Sequence, residues 1–170
     1  SQTFGADDLD RSFVKLESGE HGGFSGYLSR SKIDSRLWRG PGTIDREHIE
    51  GKARYRWDNG SHLDVKVVHN DFFDYDTPSI SKAQYLGTAN DAFGRSGRYF
   101  GYLGQVPSLP ATAAGIAYSN TGYNQYYQQA VNQRTDTLYG LGGLFVLSPD
   151  LELRSTLYYE DKDGYGVSPE

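Results

Sequence analysis

The chain contains no cysteine and no methionine, and its longest apolar run, Gly140 to Leu147, has eight residues. Without cysteine there is neither a disulfide framework nor a thiolate metal site. A run of eight falls far short of the ~18 apolar residues of a transmembrane helix. Positive charge is also scarce. Lys and Arg number 17 against 22 Asp and Glu, a net charge of −5. That balance argues against a nucleic-acid binder held by phosphate contacts. What the chain does have is 21 Gly, 14 Tyr, 8 Phe and 2 Trp in 170 residues, a length suited to one ordinary domain. The start shows no initiator Met and no signal peptide. The chain closes on a loop-like Asp161-Lys162-Asp163-Gly164-Tyr165-Gly166. An internal piece of a longer, exported protein is the expectation.

The strongest positive signal has period two. From His48 to Asp58, Ile49, Gly51, Ala53, Tyr55 and Trp57 alternate with His48, Glu50, Lys52, Arg54, Arg56 and Asp58. After Asn59-Gly60-Ser61 the alternation resumes, with Leu63, Val65 and Val67 against His62, Asp64 and Lys66. Strict alternation around a turn signal predicts a β-hairpin. Opposed residues of an antiparallel pair share a face. A three-residue loop over 59–61 therefore pairs Trp57 with Leu63, Tyr55 with Val65 and Arg56 with Asp64. A second hairpin turns at Ser148-Pro149-Asp150 and pairs Phe145 with Leu153, Leu141 with Leu157 and Tyr139 with Tyr159. Its other face carries Asp136, Glu152, Arg154, Thr156 and Glu160. A third hairpin runs from Arg11 to Ser18, turns at Glu20-His21-Gly22-Gly23 and returns over Phe24 to Ile33. Its returning strand has no assigned face. Helical periodicity is not sustained anywhere; one helical turn near Tyr126 to Val131 is allowed for.

The hairpins, at about 11–33, 48–70 and 135–160, are predicted to be joined by long connections. One covers Asp34 to Glu47 and the other residues 71–134. Short turns at one end and long loops at the other are the habit of transmembrane β-barrels. Strands of about ten residues suit a tilted crossing. The fold class expected is all-β: antiparallel up-and-down strands, about six in number, of a transmembrane barrel. On this reading Tyr55, Trp57, Leu63, Val65, Val67, Tyr139, Leu141, Phe145, Leu153, Leu157 and Tyr159 face lipid. Glu50, Lys52, Arg54, Arg56, Asp64, Lys66, Glu152 and Arg154 face the lumen. Arg54, Arg56, Asp64 and Lys66 are expected to form a cross-strand charge network. The competing reading is a soluble antiparallel sheet with one solvated face, as in an extracellular adhesion or carbohydrate-binding module. Six strands cannot close a barrel when the smallest have 8, so the membrane reading requires further strands outside these residues.

Three stretches carry a resemblance. They are Arg11 to Gly19 followed by Gly26-Tyr27-Leu28-Ser29, Trp38-Arg39-Gly40-Pro41-Gly42 leading to Gly51-Lys52, and Tyr158 to Pro169. In this order they resemble the barrel of TonB-dependent outer-membrane receptors of Gram-negative bacteria. The resemblance implies a twenty-two-stranded barrel with an N-terminal plug. It implies import of siderophore-bound iron, vitamin B12, haem or saccharides, powered by TonB, ExbB and ExbD. It also implies outer-membrane lipid, the remaining barrel and the plug as partners. No plug and no TonB box stand in these 170 residues, so an internal barrel segment is expected. A porin-like passive channel is the alternative within the membrane class.

No Ser, His and Asp stand in a nucleophile-elbow or triad context, so no enzyme is expected, and no cofactor. His48 and His62 share a face but are expected ~30 Å apart at ~3.3 Å per residue, too far to share a metal. The long connection is the better candidate for capturing a small molecule. Tyr118, Tyr123, Tyr126 and Tyr127 stand there among Asn120, Asn124, Gln125, Gln128 and Gln129. This mixture offers flat stacking surfaces with adaptable hydrogen bonds. Arg95 and Arg98, near Tyr99, Phe100 and Tyr102, are candidates for an anionic ligand.

Overall fold

The computed structural model describes residues 1–38, 42–76, 80–89, 96–97 and 130–167. These residues form β1 (Gln2–Phe4), β2 (Asp10–His21), β3 (Phe24–Arg36), β4 (Thr43–Arg56), β5 (His62–Tyr75), α1 (Lys82–Tyr85), β6 (Val131–Ser148) and β7 (Leu151–Val167). All seven strands lie in one antiparallel sheet in sequence order. The chain is thus all-β with up-and-down connectivity. Six strands are long, and β1 adds a three-residue edge beside β2. Nothing packs over either face as a second layer among the described residues. Ala130 is the only buried hydrophobic residue among them.

The alternation places the strands, and the tight turns set their register. Gly22-Gly23, with φ of 58° and 82°, is a two-residue turn that pairs His21 with Phe24. Two successive positive φ values match the right-handed twist of the strands they join. The expected turn at 20–23 is therefore shorter by two. In the next hairpin the loop is 58–60, not 59–61. Gly60 N donates to Trp57 O at 3.0 Å and Trp57 N to Ser61 O at 2.9 Å, with Gly60 at φ 87°. A three-residue loop ends in a left-handed residue, and glycine takes that position without strain. The pairs become Tyr55–Leu63, Arg54–Asp64 and Ala53–Val65. Because the partners slip by two positions, every side chain keeps its expected face. The last hairpin holds Phe145–Leu153, Leu141–Leu157 and Tyr139–Tyr159 as expected. Its turn contracts to Pro149-Asp150, and a register shift at Leu147 absorbs the extra residue.

The strands run 12 to 18 residues, longer than the ten expected. The excess lies at the end away from the tight turns. The expected connection from Asp34 to Glu47 is corrected to residues 37–42, because Ile33–Arg46, Asp34–Asp45, Ser35–Ile44 and Arg36–Thr43 are still paired. β5 and β6 stay paired out to Tyr75–Val131, which reduces the long connection from 71–134 to 76–130. The far halves escaped the periodicity because charged and apolar side chains mix on both of their faces, Phe73 and Tyr75 in line with Asp71 and Ile44 in line with Arg46. On the face that is apolar near the turns, Arg30 grips Glu47 through two contacts of 2.7 and 3.0 Å. There too Lys32 reaches Asp34 at 3.1 Å and Asp45 at 3.8 Å. The helix α1 opens with a capping box: Ser81 Oγ accepts from Gln84 N, and the Gln84 side chain accepts from Ser81 N. The signature Ser81-Lys82-Ala83-Gln84 was in the sequence and was missed. The helical turn expected at 126–131 falls mostly outside the described residues.

Candidate functional site: a two-faced sheet

Hydrogen-bonded neighbours line up in rows across the sheet. One row reads Leu16, Leu28, Gly51, Val67, Tyr139, Tyr159. The next reads Gly26, Ala53, Val65, Leu141, Leu157. Closer to the turns stand Phe24, Tyr55 and Leu63, then Trp57, Phe145 and Leu153. Tyr55 meets Trp57 edge-on at 5.0 Å, Trp57 lies 6.5 Å from Phe145, and Tyr139 stacks with Tyr159 at 6.3 Å. Together these rows bring the eleven apolar candidates to one face. The band spans nine positions, 49–57, from β4 to the residue after it, and nine on β7 (151–159). Its side chains are open: Val65 is 46% exposed and Leu157 65%. At the far end the same face turns charged, with Glu47, Asp71 and Asp163 in one row.

The opposite face carries the eight charged candidates. Asp64 lies at its centre. Arg54 holds it with Nε–Oδ1 at 2.5 Å and Nη2–Oδ2 at 2.7 Å. Lys52 Nζ adds a third contact at 3.3 Å. Such two-pronged guanidinium–carboxylate pairs fix geometry as well as charge. The expected network is corrected in two members. Lys66 pairs with Glu50 at 3.3 Å instead of Asp64, and Arg56 reaches Glu20 on β2 at 3.9 Å. Both changes follow from the two-residue slip, which puts Arg56 opposite His62 and Lys66 opposite Lys52. Glu152 and Arg154 pair with each other along β7 at 3.3 Å.

Tyr27 belongs to this lattice, and the sequence reading left its face open. Its hydroxyl donates to Glu50, while the Lys15 ammonium sits 4.4 Å from its ring centre. Leu28 takes the apolar face. Two features decide this together. The Gly22-Gly23 turn pairs His21 with Phe24, and the one-residue register shift between Glu17 and Glu20 then brings Tyr27 opposite Glu17 and Leu28 opposite Leu16.

Farther from the turns, on this face, Arg46 Nε donates to Asn70 Oδ1 at 2.9 Å, while other polar atoms go unpaired. His48 Nδ1, Asp74 Oδ1 and Asp136 Oδ1 are buried with no hydrogen-bond partner. Burial, with Asp76 adding to it, pushes the Asp74 carboxyl above the usual range. His48 and His62 stand eight positions apart in the β4–β5 ladder, because His62 pairs with Arg56. Among the described residues no group of three His, Asp or Glu is arranged to hold a metal ion. Arg95, Arg98, Tyr118, Tyr123, Tyr126 and Tyr127 lie outside the described residues. No known protein family, curated protein or solved structure matches the chain.

Proposed function

We propose that this chain is part of the wall of an outer-membrane β-barrel that takes a scarce nutrient, such as a ferric siderophore, saccharide or vitamin, into the periplasm with energy from TonB. One observation carries the proposal. Among the described residues the sheet is a single layer whose two faces differ in kind, apolar and uncovered on one side, ion-paired on the other. A soluble sheet buries its apolar face under a second layer. An uncovered band of leucine, valine and tyrosine is stable against hydrocarbon, and ~9–11 residues per strand suffice to cross it. The charged lattice then faces a wet lumen, where its ions keep their hydration. The two open edges require further strands, since hydrocarbon tolerates only a closed barrel.

The ends of the sheet agree with this orientation. Turns of two to three residues close one end, whereas residues 5–9, 37–42 and 76–130 join strands at the other. Barrels of this kind keep short turns on the periplasmic side and long loops outside. The charged far halves of the strands then stand above the membrane, and ligand capture falls to the residues that join β5 to β6 in sequence. The TonB-dependent step itself rests on the sequence resemblance and belongs to a plug outside these residues.

The test uses the two tryptophans. Trp57 lies in the apolar band, and Trp38 lies beyond the far end of β3. With the chain joined to tryptophan-free strands that close its barrel, in vesicles containing brominated lipid, Trp57 fluorescence should be quenched in a Trp38→Phe variant, and Trp38 fluorescence spared in a Trp57→Phe variant. A chain that is folded and monomeric in detergent-free buffer, with neither tryptophan quenched, would overturn the reading in favour of a soluble extracellular module.

A further inference from the structure

We infer that the far end of β6 and β7, on the charged face, is a binding site for a small hydroxylated organic acid. An open trough of about 270 Å³ lies there. Its floor is β7, where Gly164 and Gly166 occupy successive positions of this face opposite Arg134 and Asn132. Gly164 approaches β6 so closely that a Cβ would stand 2.5 Å from Gln133 O and 3.0 Å from Arg134 Cα. No other residue fits that backbone unless the strands part. At Gly166 the nearest atom to a Cβ is 3.8 Å away, so the space above it is vacant for want of a side chain and not for want of room.

The wall is β6, with Asn132, Arg134 and Asp136 in line. Arg134 forms no ion pair among the described residues, and it does not turn to Asp136. Asp136 lines the trough, and its Oδ1 has no donor. The lattice nearer the turns uses its charges on one another; here an anion and a cation stand two positions apart, ~6.6 Å along the strand, and leave each other unused. A guanidinium in this state takes a carboxylate through two parallel hydrogen bonds. The Asp136 carboxylate needs a donor in return. Lys162, directly opposite Asp136 and paired with Glu160 at 3.1 Å, places a positive charge beside it. That charge disfavours an ammonium donor and favours a neutral hydroxyl. A carboxylate and a hydroxyl about one strand repeat apart, on a compact body, describe a sugar acid or similar hydroxy acid. That this face is a barrel interior, open to incoming ligand, rests on the membrane reading; the trough itself does not.

D-glucuronate is the probe, with D-glucose and propionate as its neutral and hydroxyl-free counterparts. In the chain folded in detergent micelles, glucuronate should shift the Gly164 and Gly166 amide resonances to saturation. Arg134→Gln should weaken binding at least about tenfold, the loss expected for a charge-assisted contact. Gly166→Leu, which fills the trough without a backbone clash, should abolish it while the other β6–β7 amides stay dispersed. Equal shifts with propionate would overturn the hydroxyl requirement, and equal shifts with glucose the role of Arg134. A folded chain whose glycine amides ignore all three would overturn the site and leave the membrane reading intact. Binding by a chain that folds in plain buffer would overturn the membrane reading and leave the site intact.

Discussion

Ser61 Oγ accepts a hydrogen bond from the Val146 backbone N–H at 2.9 Å and so ties the β4–β5 turn to the β6–β7 turn. The bond lies just past the last β5–β6 pair, His62–Leu144, where the ladder between those two strands has ended. Ser61 is 6% exposed, and its own N–H is held by Asn59 Oδ1 at 3.0 Å. One short side chain thus closes the end of the sheet across two hairpins. Ser61→Ala leaves the Val146 donor without a partner, which should cost about 1–2 kcal/mol. Ser61→Thr keeps the hydroxyl and should cost less. Denaturant unfolding followed by Trp57 fluorescence checks both; an alanine variant as stable as the parent would show that water replaces the bond.

The residues that share a face were legible in the sequence, although one register was not. Reading Tyr55 against Val65 instead of Leu63 is an error of two, and an error of two never moves a side chain through the sheet. Tyr27 was illegible for the complementary reason. Its face turns on a single residue, through the length of the Gly22-Gly23 turn and the register shift between Glu17 and Glu20. The far halves of the strands hid because alternation is read from hydrophobicity, and Arg30, Lys32, Asp45 and Glu47 carry charge where Leu28 and Ile49 carry hydrocarbon. Pairing of opposite charges, Arg30 with Glu47, holds those rows where apolar contact does not.

The Arg54–Asp64 pair, at 2.5 Å, is the closest ion pair of the charged face among the described residues, and Lys52 shares the same carboxylate. Asp64→Asn would leave Lys52 and Arg54, neighbours on one face of β4, without the carboxylate they share. We expect a loss of about 1–3 kcal/mol, the range for hydrogen bonds to charged groups. Arg54→Gln should cost less, because Lys52 remains for Asp64. A double-mutant cycle should return a coupling of ~0.5–3 kcal/mol. Strict additivity would mean that water already screens the pair.

Position along the strand, and not only the face, should decide the effect of a charge. Val65 and Leu141 are direct partners in the middle of the apolar band. Arg at either should cost ~2–4 kcal/mol if that row sits near the bilayer midplane. Thr135 lies on the same face in the charged row of Asp71 and Asp163. Thr135→Arg should cost close to nothing. Equilibrium folding into vesicles of the three variants gives the comparison. Equal, small costs at all three positions would place the whole face in water.

The two glycines on the charged face of β7 should respond oppositely to the same added methyl group. At Gly164 the new Cβ meets the Gln133 carbonyl at 2.5 Å, so β7 must move away from β6. Overpacking of this kind costs about 1–3 kcal/mol, and the cost should be local. Hydrogen exchange should quicken at the amides of Gln133 and Arg134 before it quickens near Tyr139. At Gly166 a methyl group meets only ordinary contacts, and alanine narrows the unfolded ensemble, a gain of ~0.4–1 kcal/mol. Gly164→Ala and Gly166→Ala therefore separate close approach from conformational freedom as the reason for glycine. If both variants lose stability equally, the cause is the backbone conformation of the β7 end and not the separation of the strands.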